Sequence, residues 1–529
     1  MKARPFFTSL TAVLLALLAL TSGLLWGMEQ RSPLQLASQP LHLPRAAQFV
    51  PRDADLSLHW MADPTRLPSL AQAVVSPSNR RAARDGASRW RDGAFALAGL
   101  DFDDELASWL GSELSLTLID ASREHPAPGW VLGMTSRSPD GARRFLQRFW
   151  QTRSFAGTDL LARDYRGVGV ISGQGALLGR DPQPLATALI DDDLLLLASG
   201  RGVLEAALDI SQLPDQHQVG DQQLQRLIDR FGDGIAVMTA SPRAMNHWLG
   251  LPSSVVDRKD LEGMVASFMP EGADLNVDAV LRFQERIDSA EWPVVEDLTL
   301  HAGGRASALA LLQNPARLLD PAELHPLAQW FGPALRSALS SREAVKAILS
   351  EDHGPVLWTE QAEGWLLASP PGQPEVEEVS DQLAAEGLVR SELPDDDDML
   401  QVWTRLERQR GRAEGLQARL ALVNVLDEGR NWWGETITVL KQRSDGRGLQ
   451  PRLRQWERLQ ARHDPSQAML LAAEPAQSLI AGWRPWSLLQ ALGGQPLQAR
   501  IQGLVLAAEL DEQMGEESLL PVHARLEFG

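Results

Sequence analysis

The chain has 529 residues, roughly three or four domains' worth, with 44% hydrophobic and 22% charged residues, a balance that supports packed cores and excludes wholesale disorder. Cysteine is absent, which removes disulfides, zinc–thiolate centres, iron–sulfur clusters and thiol nucleophiles together. The net charge of −19 argues against nucleic acid as a partner, because phosphate recognition needs a positive surface.

The N-terminus comes first. Lys2 and Arg4 precede an apolar run from Phe6 to Met28, and no charge falls between Arg4 and Glu29. A helix spanning the bilayer needs about 20 such residues. Thr21-Ser22-Gly23 is a weak cleavage signal, and the run continues through Trp26, a residue suited to the membrane interface. Residues 1–28 therefore read as a transmembrane anchor in preference to a cleaved signal. The positive tail stays cytoplasmic, and the body lies in a periplasm or a thylakoid lumen. Without Lys2 and Arg4 the chain holds 48 basic and 69 acidic residues, a charge of −21. Residues 29–46, with Pro33, Pro40 and Pro44, read as an extended tether.

The body repeats a local unit of apolar strand, small polar residue, proline and helix. Leu56–Ala62 leads to Asp63-Pro64, Trp130–Thr135 to Ser138-Pro139, and Ala176–Gly179 to Asp181-Pro182. Ile235–Ala240 leads to Ser241-Pro242, Ala308–Leu312 to Asn314-Pro315, Trp365–Ala368 to Ser369-Pro370, and Met469–Ala473 to Glu474-Pro475. Asp, Ser or Asn caps a first-turn N–H, and proline at the first helical position loses no needed donor. Longer helices are expected over Leu67–Leu97, Pro321–Leu349 and Pro374–Glu386. Alternation marks strands at Leu497–Val505 and Val522–Phe528, and a hairpin of Val402–Leu406 with Leu416–Val425.

The spacing of the units is too irregular for a solenoid. Two internal matches, Leu194–Ser199 with Trp365–Ser369 and Gly234–Pro242 with Ala468–Pro475, point instead to duplication. The expected fold is α+β: a transmembrane helix, then duplicated modules of antiparallel sheet packed with helices, at 47–305 and 306–529.

Three strings carry a resemblance. GLDFDDELASWLGSELSLTLID (Gly99–Asp120), FVPRDADLSL (Phe49–Leu58) and Tyr165-Arg166-Gly167-Val168 followed by IDDDLLLLAS are together similar to the cyanobacterial family called domain of unknown function 3352. The resemblance covers roughly residues 45–300 best. It implies a membrane-tethered extracytoplasmic protein and no activity.

Motifs for chemistry are sparse. There is no P-loop, no H-E-x-x-H and no G-x-S-x-G. Gly167, Gly169, Gly173 and Gly175 read as hairpin glycines. His59 and His247 each adjoin a tryptophan and read as structural. Asp191–Asp193 and Asp395–Asp398 lack the ligand spacing of a calcium loop and read as turns. Arg80, Arg81, Arg84, Arg89 and Arg91 form a dense basic patch that reads first as a solvated helix face and, as the alternative, as a contact for anionic headgroups. Glu428 and Glu435 flank Asn431-Trp432-Trp433, but carboxylates on one turn make no acid–base pair. No catalytic, cofactor or metal residue is assigned, and no cofactor is expected.

Seventeen tryptophans stand beside one tyrosine and four lysines. Coding bias toward GC-rich codons accounts for most of that excess. Trp60, Trp109, Trp130, Trp248, Trp358, Trp365 and Trp483 read as core, while Trp432 and Trp433 must face opposite sides of a strand. The functional expectation is a membrane-tethered, non-enzymatic binding or assembly factor for a protein partner or an apolar ligand such as lipid. The alternatives are an envelope hydrolase using dispersed carboxylates such as Glu113 or Glu428, and a structural envelope protein.

Overall fold

The computed structural model describes residues 34, 36 and 39–529, except 98, 120–128, 156, 177–181, 288–304, 396–397, 409–415, 428, 445–447, 484–485, 488–489, 492–499, 511 and 515–516. The expected anchor, residues 1–28, lies outside them. Among the described residues no helix is long and apolar enough to cross a membrane.

The fold is α+β, built on an antiparallel sheet. The strands are β1 (Leu56–Trp60), β2 (Leu110–Ile119), β3 (Gly129–Ser136), β4 (Leu161–Tyr165), β5 (Val168–Ala176), β6 (Pro182–Ile190), β7 (Leu194–Ala198), β8 (Ala236–Ala240), β9 (Leu261–Glu271) and β10 (Asp274–Phe283). They continue as β11 (Ala306–Leu312), β12 (Val356–Gln361), β13 (Gly364–Ser369), β14 (Leu388–Asp395), β15 (Asp398–Arg408), β16 (Leu416–Asp427), β17 (Arg430–Gly434), β18 (Gln467–Ala472), β19 (Ile501–Ala508), β20 (Glu512–Met514) and β21 (Glu517–Phe528).

Neighbours run in the order β4, β5, β6, β7, β3, β2, β1, β8, β9, β10. From β10 the sheet continues through β21, β19, β18, β11, β12, β13, β17, β16, β15 and β14, with β20 a short arm on β21. Read outward from β10 and β21, the halves keep step: β9 with β19, β8 with β18, β1 with β11, β2 with β12, β3 with β13, β7 with β17. Each half also places helices after the same strands, namely β1 and β11, β3 and β13, β7 and β17, and β8 and β18.

Both faces of the sheet are covered. The face bearing Leu58 and Trp60 carries helices Leu67–Val74, Arg80–Leu97, Pro139–Phe155, Pro326–Ala338, Glu343–Glu351, Val376–Ala385 and Ala473–Ala481. The face bearing Ser57 and His59 carries Arg201–Ile210, Gln222–Phe231, Ile437–Lys441 and Gln450–Gln460. Alternate residues of each strand feed opposite cores. Trp433 packs on Trp403 at a ring separation of 5.4 Å on one face, and Trp432 enters the core under Gln450–Gln460 on the other.

Capping follows the expected chemistry where the helix starts at once. Asp63 accepts from the Thr65 N–H, Ser241 from the Ala244 N–H, and Asn314 from the Arg317 N–H. Three units depart from it. Pro182 opens strand β6, where a first-residue proline breaks no ladder bond. Ser369 donates to the Gln373 carbonyl, and the helix begins only at Val376. Ala472, not Glu474, is the N-cap residue of the last unit. The expected helix over Leu67–Leu97 breaks at 75–79, around Pro77, and that over Pro321–Leu349 splits after Ala338. In sheet order β13 stands where β3 stands, so the Trp365–Ser369 match belongs to Gly129–Ser136, which shares its Gly-Trp start, and not to Leu194–Ser199.

Residues 39–50 lie along the body. The Leu41 N–H donates to Gly232 and the Gly234 N–H to Gln39, while Ala47 and Phe49 are buried. Arg45 pairs with Asp191 and Asp193, and Arg143 with Asp192, so the Asp191–Asp193 turn between β6 and β7 is neutralised as well as solvated. The Trp403–Trp433 pair gives a direct test. Trp433→Ala should lower the unfolding free energy by about 3–5 kcal/mol, read as the urea midpoint, whereas Leu426→Ala at an exposed site should change it by less than about 0.5 kcal/mol.

Candidate functional site

An apolar groove of about 310 Å3 opens between β1, β2, β3 and the helices Leu67–Val74 and Arg80–Leu97. Its floor follows from strand alternation: Leu58 and Trp60 of β1, Leu114, Leu116 and Leu118 of β2, and Trp130 and Leu132 of β3 all share one face. Its roof is Leu67, Trp90, Ala94 and Phe95. The Trp60 and Trp90 rings stand 6.3 Å apart, and Leu116 keeps 37% of its surface exposed. A contiguous apolar surface open to water is costly unless something covers it. At the rim, Arg91 is buried against Phe102 at 3.8 Å and is paired with Asp92 and Asp103. Arg80, Arg81, Arg84 and Arg89 on the same helix are exposed. The basic patch therefore divides into one structural arginine and four surface ones.

The equivalent face of the other half is sealed. There Trp358, Trp365 and Leu367 are buried under Leu327, Leu339, Val345 and Ile348. Trp248 and Trp483, expected in the core, are instead 37% and 38% exposed. Trp483 lines a wide hollow of about 530 Å3 with His247 and Leu249, and its Nε1 donates to the Leu249 carbonyl at 2.9 Å.

Polar groups gather at two other places. On the face opposite the groove, the wholly buried His59 meets the Ser115 hydroxyl through Nδ1 at 2.8 Å and Gln218 Oε1 through Nε2 at 2.7 Å. Among the described residues no carboxylate orients the ring, and the ring is wholly buried, so this Ser–His pair lacks what a nucleophilic pair needs. The second place is the seam between β10 and β21, where His463 and His523 stack between Asp278 and Glu509. Sequence periodicity could not single out these four residues, because they sit on separate elements and none belongs to a motif.

The carboxylates considered singly do not converge. Glu113 faces His42 at 3.2 Å. Glu435 accepts from the Trp365 N–H at 3.3 Å. Asp395 pairs with Lys441 at the β14–β15 turn. Glu428 lies outside the described residues. Both Trp432 and Trp433 are buried, so that corner offers no stacking platform to a sugar.

Two buried groups titrate in opposite senses. Burial pushes His59 down to about 4, only partly offset by its bond to Gln218. The unfolded chain takes up a proton near 6.5 that the folded ring refuses, so this stability is complete above that pH and drains away as pH falls toward 4. The loss is about 3 kcal/mol. Burial pushes Asp352 up to about 7, so its stability is complete below the ordinary carboxylate range and is lost as pH rises through 7. His59→Gln should therefore flatten the fall in urea midpoint between pH 7 and 4.5. Asp352→Asn should raise the midpoint at pH 8 more than at pH 5.

Comparison with known proteins adds little about activity. No curated protein matches the chain. Crystal forms I and III of TP0453 share 9% and 8% identity with it, each over 47% of this chain and over 83% and 84% of theirs, with TM-scores of 0.25 and 0.21. Likeness at that level carries no argument. One family model does match, over residues 10–519, and by it the chain belongs to DUF3352, described as a protein of unknown function.

Proposed function

We propose that the protein is a membrane-tethered, extracytoplasmic binding protein for a single apolar chain, such as an acyl chain of a lipid. The observation that carries this reading is the groove under Arg80–Leu97. Its walls are leucine, phenylalanine and tryptophan, and its volume of about 310 Å3 lies at the lower end of small-molecule sites. The helix that roofs it holds five arginines and two aspartates in a chain of net charge −19. Positive charge beside an apolar slot suits an anionic amphiphile, with the chain in the slot and the headgroup against Arg80, Arg81, Arg84 or Arg89.

The tether reading rests on the uncharged run from Phe6 to Met28 behind Lys2 and Arg4. That charge pattern favours a cytoplasmic N-terminus and a body in a periplasm or thylakoid lumen. The matching strand order supports a duplicated module, 47–305 and 306–529, in which one copy kept or acquired an open face.

The purified protein should bind a fluorescent fatty acid at micromolar concentration. Leu116→Glu at the groove mouth should weaken binding at least about tenfold while leaving the thermal midpoint within a few degrees. Replacing Arg80, Arg81, Arg84 and Arg89 together by Gln should reduce binding to anionic vesicles and spare neutral ones. Equal binding by wild type and Leu116→Glu would sink the groove as the site.

A further inference from the structure

We propose that the seam between β10 and β21 is a binding site for one divalent transition-metal ion of the zinc class, held by Asp278, His463 and His523 with Glu509 behind them. The four residues come from separate elements: Asp278 from β10, His523 from β21, His463 from the turn after Gln450–Gln460, and Glu509 from the residue that follows β19. They form a box. The two imidazole rings stack with centroids 3.5 Å apart and planes 26° from parallel. Asp278 Oδ1 faces His523 Nδ1 at 2.8 Å and His463 Nε2 at 3.5 Å. Glu509 Oε1 faces the two remaining ring nitrogens, His523 Nε2 at 3.0 Å and His463 Nδ1 at 3.4 Å.

Proton counting makes the case. Two neutral imidazoles own two N–H groups, yet four ring nitrogens face carboxylate oxygens. If both hydrogens point to Glu509, two lone pairs converge on the Asp278 carboxylate. Repulsion is then relieved either by two further protons, which makes two imidazolium rings stacked 3.5 Å apart, or by one dication. One dication meets the same need with a single ion, where two imidazolium rings at that separation repel each other in a partly buried site.

The ligand atoms gather within reach of one ion, and binding would open the stack, because two imidazoles on a tetrahedral ion stand with ring centroids about 5 Å apart. One ligand atom from each of Asp278, His463 and His523 lies within 4.8 Å of the others. Tetrahedral ligands about 2.0–2.1 Å from zinc stand about 3.3 Å apart. A cavity of about 20 Å3 borders the same residues, together with Asn276, Gln455, Arg458, Arg462 and Arg525, which is room for one water as a fourth ligand. Glu509 accepting from the rear nitrogen of both rings is the outer-shell arrangement that fixes tautomer and orientation in histidine–metal sites. The three arginines on that cavity are each paired with other carboxylates, Arg458 with Asp274 and Glu527, Arg462 with Glu271, and Arg525 with Glu271 and Asp274, although the charge of Arg462 is also felt at Asp278. The ligand set of imidazole and carboxylate selects zinc, cobalt or nickel over calcium or magnesium.

The test uses the full chain, stripped with a chelator and dialysed. Cobalt(II) titrated at micromolar concentration should give visible absorption bands saturating at one equivalent, and zinc should abolish them. Zinc should also raise the thermal midpoint of the stripped protein. His463→Gln and His523→Gln should each weaken binding by on the order of 100-fold or more, and Glu509→Gln by about 10–100-fold as a positioning residue. Absence of cobalt bands and of zinc uptake by the wild-type protein would overturn the proposal whether or not any variant folds. So would uptake unchanged in both histidine variants. A midpoint that ignores zinc and chelator but falls as pH rises from 6 to 8 would assign the box to two imidazolium ions instead.

Discussion

β21 is the last strand of the chain, yet it pairs with β10 from its middle, from Leu275 opposite Leu526 to Phe283 opposite Ser518. Among the described residues all other strand-to-strand ladders stay within 56–283 or within 306–528. This one ladder therefore decides whether the chain is two sheets or one. Open sheets beyond about ten strands are uncommon without curling or splitting, and here halves of ten and eleven strands meet edge to edge. The join removes two exposed edges that would otherwise invite pairing with other chains. It also forces cores from different parts of the chain together. Leu281 and Phe283 of β10 enter the same apolar cluster as Leu327, Val345 and Ile348 of the second half.

On the opposite face the same ladder has a different consequence. Val280 and Leu519 belong to the core under Gln222–Phe231, and Val505 to the core under Gln450–Gln460. Between them Asn276, Asp278, His523 and Arg525 fill the seam with polar groups. Asp278 is held below its usual range: burial pulls it up, but the His523 bond and the nearby cations outweigh this. His523 is held above its usual value: burial pulls it down, and the bonds to Asp278 and Glu509 outweigh that. A polar seam between two dry cores fixes register, since sliding β21 by one residue would turn His523 away from Asp278 and bury an unpaired charge.

The sheet was legible in the sequence where alternation was long and turns were marked. The β15–β16 hairpin, β21 and the Arg166-Gly167 turn between β4 and β5 fall where alternation and glycine demanded, the turn with φ of 53° and 84°. Caps were legible because Asp63, Ser138, Ser241 and Asn314 act within three residues of themselves. The candidate sites were not legible, for two physical reasons. Leu114, Leu116 and Leu118 have the same pattern whether a helix seals them or leaves them open, so a groove and a core look alike in one dimension. The seam residues are joined only by strand pairing, and a lone histidine in a strand carries no sign of its partner. Trp248 and Trp483 misled for a related reason: helical spacing places a ring on a face but cannot say that the face meets a hollow.

Why one half is open follows from its connecting helices. Between β11 and β12 run the helices Pro315–Leu319, Pro326–Ala338 and Glu343–Glu351, and they bury Leu318, Leu327, Val345, Ile348 and Leu349 almost completely. Between β1 and β2 the long helix Arg80–Leu97 buries Ala83, Arg91 and Phe95. An alanine and a guanidinium cannot fill the volume that leucine and isoleucine fill in the other half, so the leucines of β2 stay partly wet. Leu116, 37% exposed, forgoes roughly a third of the about 1.5–3 kcal/mol that full burial gives, and the exposed arginines of the covering helix add none. A fold able to close this face in its second half, with the same strands in the same order, leaves it open in the first at a cost in stability, a trade that the proposed ligand-binding reading requires.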